Sequence, residues 1–146
     1  MRSEIHVRMR APYDRIFDLA SEIERWPQLL PHYRYVRRLP GSEARFAMGA
    51  RLGPIPVKWE AICTPMRAER RIEFVHTGGV TKGMWVAWHI EQQGDAFDVS
   101  IEHRLELHWP LIGGFAARHI IGPQFIDAIA GRTLRGVKAM AEGRDP

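Results

Sequence analysis

Apolar and polar residues alternate over much of the first hundred residues. Near the N-terminus, Ile5, Val7 and Met9 are separated by His6 and Arg8, which is the two-residue period of a strand with one buried face. The same alternation returns in six later segments that are divided by turns rich in glycine and proline. We predict strands at residues 33–39, 45–52, 57–64, 71–77, 82–92 and 96–109.

The last of these segments alternates most clearly. Its odd-numbered positions carry apolar residues and one histidine, in the order Val99, Ile101, His103, Leu105, Leu107 and Trp109. Its even-numbered positions are polar, so we expect one face in solvent and one face in the core. His103 is the exception on the apolar face, and a buried imidazole needs a hydrogen-bond partner from the protein or from a ligand.

Two short helices are predicted between the first and second strands. Pro12 is suited to the first helical position, and apolar residues recur behind it at helical spacing, at Ile16, Leu19, Ala20 and Ile23. Residues 21–24 form a capping-box pattern, which predicts that a second helix begins there. Pro27 and Pro31 are expected to end it, and Trp26, which precedes a proline, is expected to be extended.

The hydrophobic period changes to that of a helix after Pro110. An apolar seam at three- and four-residue steps runs through Ile126, Ile129, Thr133, Val137, Met140 and Ala141. We predict a long helix over residues 123–142 with this seam against the sheet, because the sheet's apolar face needs a cover. The expected fold is α+β in a single domain, residues 1–146, with a curved antiparallel sheet wrapped around the C-terminal helix.

Composition and charge are those of an ordinary globular domain. The 146 residues are 45% hydrophobic and 26% charged, which is not typical of a disordered chain. The formal charge is +4, and 18 of the 21 basic residues are arginines spread along the chain. We interpret them as a solvated surface that makes at most weak contact with a membrane surface or another acidic partner, and we expect no specific nucleic-acid binding.

Cysteine usage and targeting patterns narrow the class further. Cys63 is the only cysteine, so we predict neither a disulfide framework nor a thiolate metal site. Residues 1–10 lack the apolar centre of a signal peptide. No stretch approaches the roughly 20 apolar residues of a membrane span. We expect a cytoplasmic protein.

Several short motifs occur in a characteristic order along nearly the whole chain. They are Ala11-Pro12-Tyr13, Ile16-Phe17-Asp18-Leu19, Ile23-Glu24-Arg25-Trp26-Pro27, Val36 with Leu39, Lys82-Gly83-Met84-Trp85-Val86 and Pro110-Leu111-Ile112-Gly113-Gly114-Phe115. In this order they resemble the START-like superfamily, which includes Bet v 1, the polyketide cyclase/dehydrase group and the coenzyme Q-binding START-type group. The resemblance implies a helix-grip fold that encloses a hydrophobic cavity. We predict no cofactor.

The resemblance also bears on catalysis. Cyclases of this group fold poly-β-keto chains and carry a basic residue on the strand after a Trp-Glu pair. Trp59-Glu60 is present here, but Pro65 stands at the expected basic position. This departure favours ligand binding over catalysis, and no residue is assigned a catalytic role.

Seven residues are predicted to contact a ligand: Trp26, Tyr33, Trp59, Phe74, His76, Trp85 and His103. The aromatic rings can stack on a flat molecule or simply fill a core, and Trp85 fits a core better. His76 and His103 titrate near neutral pH and suit acid–base chemistry, although a hydrogen-bonded core histidine explains each as well. We expect Trp59, Phe74 and His103 to be buried around one cavity of about 300 to 1,000 Å³.

A metal site is not predicted. His103 and His108 have the H-x4-H spacing of the catalytic domain of Rieske oxygenases, which share this superfamily. However, residues five apart on a strand point to opposite faces. A single cysteine also cannot provide the ligands of a Rieske cluster.

Three functions remain open from the sequence. The leading hypothesis is a module that carries or presents a hydrophobic small molecule, such as a lipid, a quinone or a polyketide. The alternative is a cyclase or dehydratase that folds a polyketide-like chain while histidine or tyrosine moves protons. The third, suggested by the family, is an interaction protein that acts on ribosomes or membranes through its basic surface. The oligomeric state and the ligand are left open.

Overall fold

The computed structural model describes residues 2–79, 81–105 and 123–143. Its strands are β1 (Arg2–Met9), β2 (Tyr33–Arg38), β3 (Arg45–Leu52), β4 (Ile55–Met66), β5 (Arg71–Gly79), β6 (Trp85–Gln93) and β7 (Ala96–Arg104). Its helices are α1 (Tyr13–Ser21), α2 (Trp26–Leu29) and α3 (Pro123–Ala141), and a 3₁₀ turn (Ile23–Arg25) precedes α2. The elements therefore follow the predicted order.

The strands of the described ranges form one seven-stranded antiparallel sheet in the order β1-β7-β6-β5-β4-β3-β2. Most neighbours are consecutive in the chain, because short turns suffice to join antiparallel strands. β1 is the exception and pairs with β7, from Arg2 opposite Arg104 to Met9 opposite Phe97. α3 packs mainly against β1 and also contacts β3 near the other edge. A helix reaches both ends of a sheet only if the sheet curves around it, so the predicted helix-grip fold is confirmed.

The apolar seam of α3 faces the sheet. Five of its six predicted residues are buried: Ile126, Ile129, Thr133, Val137 and Ala141. Leu134, which the sequence pattern did not single out, is fully buried, whereas Met140 is only partly buried. Met140 lies at the margin of the seam, beside the buried Ala141. Within the described residues, no helix is long and apolar enough to cross a membrane.

The segment between α1 and β2 differs from its prediction. α1 runs to Ser21, so Ser21 caps no second helix, and Glu22 precedes the 3₁₀ turn without a side-chain capping bond. Trp26 has helical backbone angles (φ −56°, ψ −39°) and is not extended. Pro27 lies in the first turn of α2 and does not end it, because a proline's missing N–H has no intrahelical partner there.

Three further strands have ends that differ from the pattern. β4 covers Ile55–Met66, two residues longer at each end than predicted. β6 begins at Trp85 because residues 81–83 form a turn. The described part of β7 ends at Arg104, and residues 106–109 of the predicted strand lie outside the described residues.

The end of β5 was predicted wrongly for a specific reason. The predicted strand stopped at residue 77, but Gly78 and Gly79 also belong to it and pair with Glu60 and Trp59 of β4. Gly79 has φ +91°, a conformation that glycine adopts without the strain that a side chain would cause. The strand therefore continues, with a register shift in the ladder between Glu60 and Ala61.

The alternation predicted a solvent-exposed outer face on the sheet, but one of its polar residues is buried. Glu102 is 6% exposed. Its Oε2 accepts hydrogen bonds from Arg2 Nε at 3.1 Å and Arg104 Nε at 3.0 Å, and His89 Nε2 lies 3.4 Å from Oε1. Burial opposes the charge of this carboxylate, but the bonds from Arg104 and Arg2 outweigh it and hold the pKa of Glu102 below its usual value. Long side chains from neighbouring strands thus cover a charged residue.

Candidate functional site

A cavity lies between the concave face of the sheet and α3. Its walls are mainly apolar side chains of the sheet and the helix: Met48, Val57, Met84, Val86, Trp88, Ile101, Ile126, Ile129 and Ala130. The side chains that point inward come from alternate positions of each strand, so the two-residue period places them on one surface. The predicted enclosure between sheet and helix is therefore present.

The cavity is smaller than expected. The centre of a water molecule can move through about 90 Å³, within about 660 Å³ of atom-free space that is partly open to solvent. The space open to a water molecule therefore lies below the predicted 300 to 1,000 Å³. Large aromatic side chains on the walls account for the reduced volume, because they project towards one another across the interior.

Six of the seven predicted ligand-binding residues line this cavity: Trp26, Tyr33, Trp59, Phe74, His76 and His103. Phe74 and His103 are buried, as expected, but Trp59 is only partly buried. Trp59 is thus less completely buried than the other two, and it shares the cavity with Phe74 and His103. Their role in binding stays a prediction.

Trp85 does not line the cavity. It stands between Met84 and Val86, which do, so the alternation of β6 directs its indole to the outer face of the sheet. There Trp85 Nε1 donates to Glu73 Oε1 at 3.2 Å, and the Arg104 guanidinium lies 5.1 Å from the centre of the indole. Pro65, at the position where the cyclases carry a basic residue, is exposed and is not part of the cavity wall.

Trp26 anchors one end of the cavity. Its indole Nε1 donates to the carbonyl oxygen of Leu19 at 2.9 Å, which satisfies the polar atom and fixes the ring. The ring centroid lies 4.9 Å from that of Tyr33, 6.0 Å from Trp88 and 6.4 Å from Phe74. These tilted contacts connect β2, β5 and β6 through one aromatic cluster.

His76 is a buried polar group on the wall. Its Nδ1 lies 2.6 Å from Thr81 Oγ1, and its ring lies flat against the indole of Trp59. Burial, with a smaller contribution from His103, lowers the pKa of His76 to about 3. His76 is therefore neutral at pH 7, because the buried site disfavours the imidazolium.

His103 is the second buried imidazole. It lies opposite Ser3 in the sheet, and its Nδ1 is 3.3 Å from Ser3 Oγ. Burial lowers the pKa of His103 to about 4, and the charge of Asp127 opposes this shift. Asp127 Oδ1 is buried and, among the residues that the structure describes, has no hydrogen-bond partner. Within the described part of the chain, no hydrogen bond reaches Nε2 of His76 or of His103, so both nitrogens can serve a ligand.

Sequence reasoning missed a hydrogen-bond network on α3. Thr133 Oγ1 donates to the carbonyl of Ile129 at 2.9 Å. Its lone pairs can then accept from His32 Nε2 at 2.9 Å and from the Tyr33 hydroxyl at 3.2 Å. Burial, followed by the charge of Arg132, lowers the pKa of His32 to about 4. The signal that pointed to this network was Thr133, the one hydroxyl residue in the apolar seam.

No metal centre accompanies these histidines in the described ranges. No group of three or more His, Cys, Asp or Glu side chains there is placed to hold a metal ion. The second histidine of the H-x4-H pattern, His108, lies outside those ranges. The chemistry available to the described residues is that of apolar contact, hydrogen bonding and proton transfer by imidazole.

Comparison with known proteins identifies relatives of this chain. Residues 9–121 match the protein family described as polyketide cyclase / dehydrase and lipid transport. The chain is 27% identical over 146 aligned residues to the actinorhodin polyketide synthase bifunctional cyclase/dehydratase of Streptomyces coelicolor. That alignment covers 96% of this chain and 44% of the relative, so the chain spans less than half the length of that protein.

Solved structures share the fold. The Zhui aromatase/cyclase from a Streptomyces species superimposes with a TM-score of 0.84 at 15% identity, covering 97% of this chain and 93% of that one. A START superfamily protein from Mycobacterium smegmatis has a TM-score of 0.74 at 14% identity, with 97% of each chain covered. At these identities the likeness establishes a common fold.

Proposed function

Because this chain belongs to the polyketide cyclase/dehydrase and lipid transport family, we propose that its cavity binds an apolar small molecule with carbonyl or hydroxyl groups, and that the protein carries or presents it. A lipid, a quinone or a polyketide has this chemistry. One observation carries the proposal: the neutral imidazoles of His76 and His103 stand in a mainly apolar wall.

The apolar and the polar side chains of the cavity wall would contribute to binding in different ways. Its apolar side chains would stabilise a ligand by about 25 cal/mol for each Å² of apolar surface removed from water. The two Nε2 atoms would orient the ligand, since a neutral imidazole either donates to a carbonyl or accepts from a hydroxyl, depending on its tautomer. Tyr33 has a narrower role, because its hydroxyl proton is directed to Thr133 and only its lone pairs remain for a ligand.

Two measurements test binding. Native mass spectrometry after gentle purification should reveal a co-purified apolar molecule. Titration with N-phenyl-1-naphthylamine, a neutral probe that fluoresces in apolar sites, should show saturable binding. Val86→Phe fills the cavity and should weaken binding of the probe at least about tenfold, whereas Val75→Phe on the exposed face of β5 should leave it unchanged. Circular dichroism checks that both variants fold.

Two outcomes would contradict the binding proposal. If the probe binds both variants as it binds the wild-type chain, it does not occupy this cavity and the proposal fails. An empty cavity together with salt-sensitive sedimentation with ribosomes or anionic vesicles would instead favour the third function, an interaction protein that acts through its basic surface.

A second candidate function, a cyclase or dehydratase, is favoured by one specific observation. Burial lowers the pKa of His103, the carboxylate of Asp127 partly offsets this shift, and Asp127 Oδ1 has no hydrogen-bond partner among the described residues. A carboxylate near a histidine stabilises the imidazolium that forms when the histidine takes a proton. His103 would then be the base, and Asp127 would stabilise its charged form.

The reaction would follow from this assignment. With a proton on Nδ1 donated to Ser3, His103 Nε2 carries a lone pair that can remove a proton from a CH₂ group between two ketones. The resulting enolate carbon attacks a second ketone carbon of the same chain and forms a carbon–carbon bond. The alkoxide takes the proton back from the imidazolium, and loss of water then leaves a double bond in the new ring. The cavity supplies the folded conformation that brings the two carbons together.

A further inference from the structure

A second depression lies outside the cavity, where the chain leaves α2 and passes α3. One wall is formed by Leu30, Pro31 and His32, and the other by Arg132, Arg135 and Gly136. Its volume is about 270 Å³. None of these residues lines the cavity described above, so this basic groove is a separate site.

The two arginines of the basic groove form no ion pair with any described residue. Arg132 and Arg135 are three residues apart on α3, so their side chains lie on the same side of the helix. Both are exposed, and neither has an acidic partner in the part of the chain that the structure describes. Arginines elsewhere in those ranges do pair, for example Arg67 with Asp14 and Asp18.

The position of Arg135 is assisted by a glycine. Its guanidinium Nη1 lies 3.0 Å from the point where a Cβ on Gly131 would be. A side chain at residue 131 would crowd the guanidinium, so glycine allows Arg135 to fold back along α3, in the direction of Arg132. The Arg135 guanidinium therefore lies along the turn of α3 that also carries Arg132, and both arginines line the basic groove.

His32 connects the basic groove to the cavity. Its ring lines the groove, and its Nε2 donates to Thr133 Oγ1, which lines the cavity. The charges of Arg132 and Arg135 both act on this imidazole, so the positive field of the arginines reaches the histidine wall of the groove. An anion bound there would lie beside His32 and two guanidinium groups.

We propose that the basic groove is a binding site for one oxyanionic group, a carboxylate or a phosphate, held by Arg132 and Arg135 beside His32. The planar guanidinium presents paired N–H donors that match both groups. The oxyanion is either a free ion or the charged end of the molecule whose apolar part lies in the cavity, next to Thr133. The two sources share their recognition chemistry and differ in whether the cavity must be filled.

Inorganic phosphate tests the site directly. We expect millimolar phosphate to shift the ring NMR signals of His32 in the wild-type chain, and the Arg132→Gln/Arg135→Gln variant to weaken this response at least about fivefold. The control is Arg34→Gln/Arg37→Gln, which removes the same charge from exposed positions of β2. If both variants weaken the phosphate response equally, the response depends only on the net charge of the protein, and the proposal is overturned.

A matched pair of probes separates the two sources. N-phenyl-1-naphthylamine and 8-anilinonaphthalene-1-sulfonate share a ring system, and only the second carries an oxyanion. If the anion belongs to the cavity ligand, the sulfonate should bind more tightly than the neutral probe, and the Arg132→Gln/Arg135→Gln variant should abolish that preference. A phosphate response without a sulfonate preference identifies a free ion. If neither phosphate nor the sulfonate depends on Arg132 and Arg135, the proposal is wrong.

Discussion

The imidazole of His76 lies parallel to the indole of Trp59, with 4° between the ring planes and 5.9 Å between the ring centroids. The stack joins β4 to β5 beside the register shift between Glu60 and Ala61. It also joins a buried polar group to a partly exposed ring on the same cavity wall. A flat ligand in the cavity would therefore find an aromatic surface on the same wall as the buried imidazole of His76.

The first prediction concerns this surface. Trp59→Leu should weaken binding of N-phenyl-1-naphthylamine about twofold to tenfold, since an aromatic contact contributes about 0.5 to 1.5 kcal/mol beyond area burial. Trp85→Leu is the matched control, because Trp85 lies on the outer face. Fluorescence titration measures both. A larger loss of affinity in the Trp85 variant would contradict the placement of the site.

The second prediction separates carrier from enzyme. If the protein only carries its ligand, His103→Gln, His76→Gln and Asp127→Asn should each change affinity modestly, because glutamine and asparagine retain hydrogen-bonding groups. Product analysis with a poly-β-ketone substrate should then show the same products with every variant as without protein. Protein-dependent cyclisation that is lost in His103→Gln and reduced in Asp127→Asn, while the substrate still binds, would establish the enzyme and overturn the preference for a carrier.

The third prediction concerns pH. Burial lowers the pKa values of His32 and His103 to about 4 and that of His76 to about 3, against about 6.5 in the unfolded chain. Below pH 6.5 the unfolded state binds protons that the folded state does not, so stability is full above pH 6.5 and falls as pH decreases towards 4. Three such groups give a slope of at most about 4 kcal/mol per pH unit near pH 5.

Urea unfolding between pH 5.0 and 7.5 measures this slope. His76→Gln should reduce it by about a third. His6 is the contrasting control: hydrogen bonding to Asp98 raises the pKa of this exposed histidine, so its small contribution is present at low pH and is lost as pH rises. A free energy of unfolding that is constant from pH 5.0 to 6.5 would show that the three buried histidines are not neutral in the folded state.

The fourth prediction concerns the backbone beneath Trp59. A Cβ on Gly79 would lie 2.6 Å from the carbonyl oxygen of Lys58 and 2.8 Å from the Cα of Trp59. Gly83 has a similar φ, +95° against +91°, but a Cβ there meets nothing within 4 Å. Both Gly→Ala changes therefore share the backbone strain, and the clash in Gly79→Ala should cost about 1 to 3 kcal/mol more. Chemical denaturation of the two variants measures the difference, and equal losses would contradict the close strand contact.

The fifth prediction tests the network on α3. Thr133→Val keeps the shape of the side chain but leaves His32 Nε2 and the Tyr33 hydroxyl without their acceptor. We expect a loss of about 1 to 3 kcal/mol in the free energy of unfolding. Thr133→Ser retains the hydroxyl and should restore most of it, whereas equal losses in the two variants would assign the effect to packing alone.

The sequence predicted the fold because its evidence is local and periodic. Alternation along β7 placed His103 on the inner face, and the three- and four-residue seam placed Ile126 and Val137 against the sheet. Each inference needs only the repeat of a strand or a helix. The same alternation along β6 places Trp85 on the face opposite to its neighbours Met84 and Val86, which explains why Trp85 does not line the cavity.

Only the tertiary structure decided which distant elements of the chain are in contact. Thr133 and His32 are 101 residues apart, yet they share the hydrogen bond that links the groove to the cavity. Glu102 alternates as a solvent-facing residue but is covered by Arg2 from the far end of the chain. Periodicity assigns a side chain to a face, whereas its partners and the volume left between them depend on how the faces pack in three dimensions.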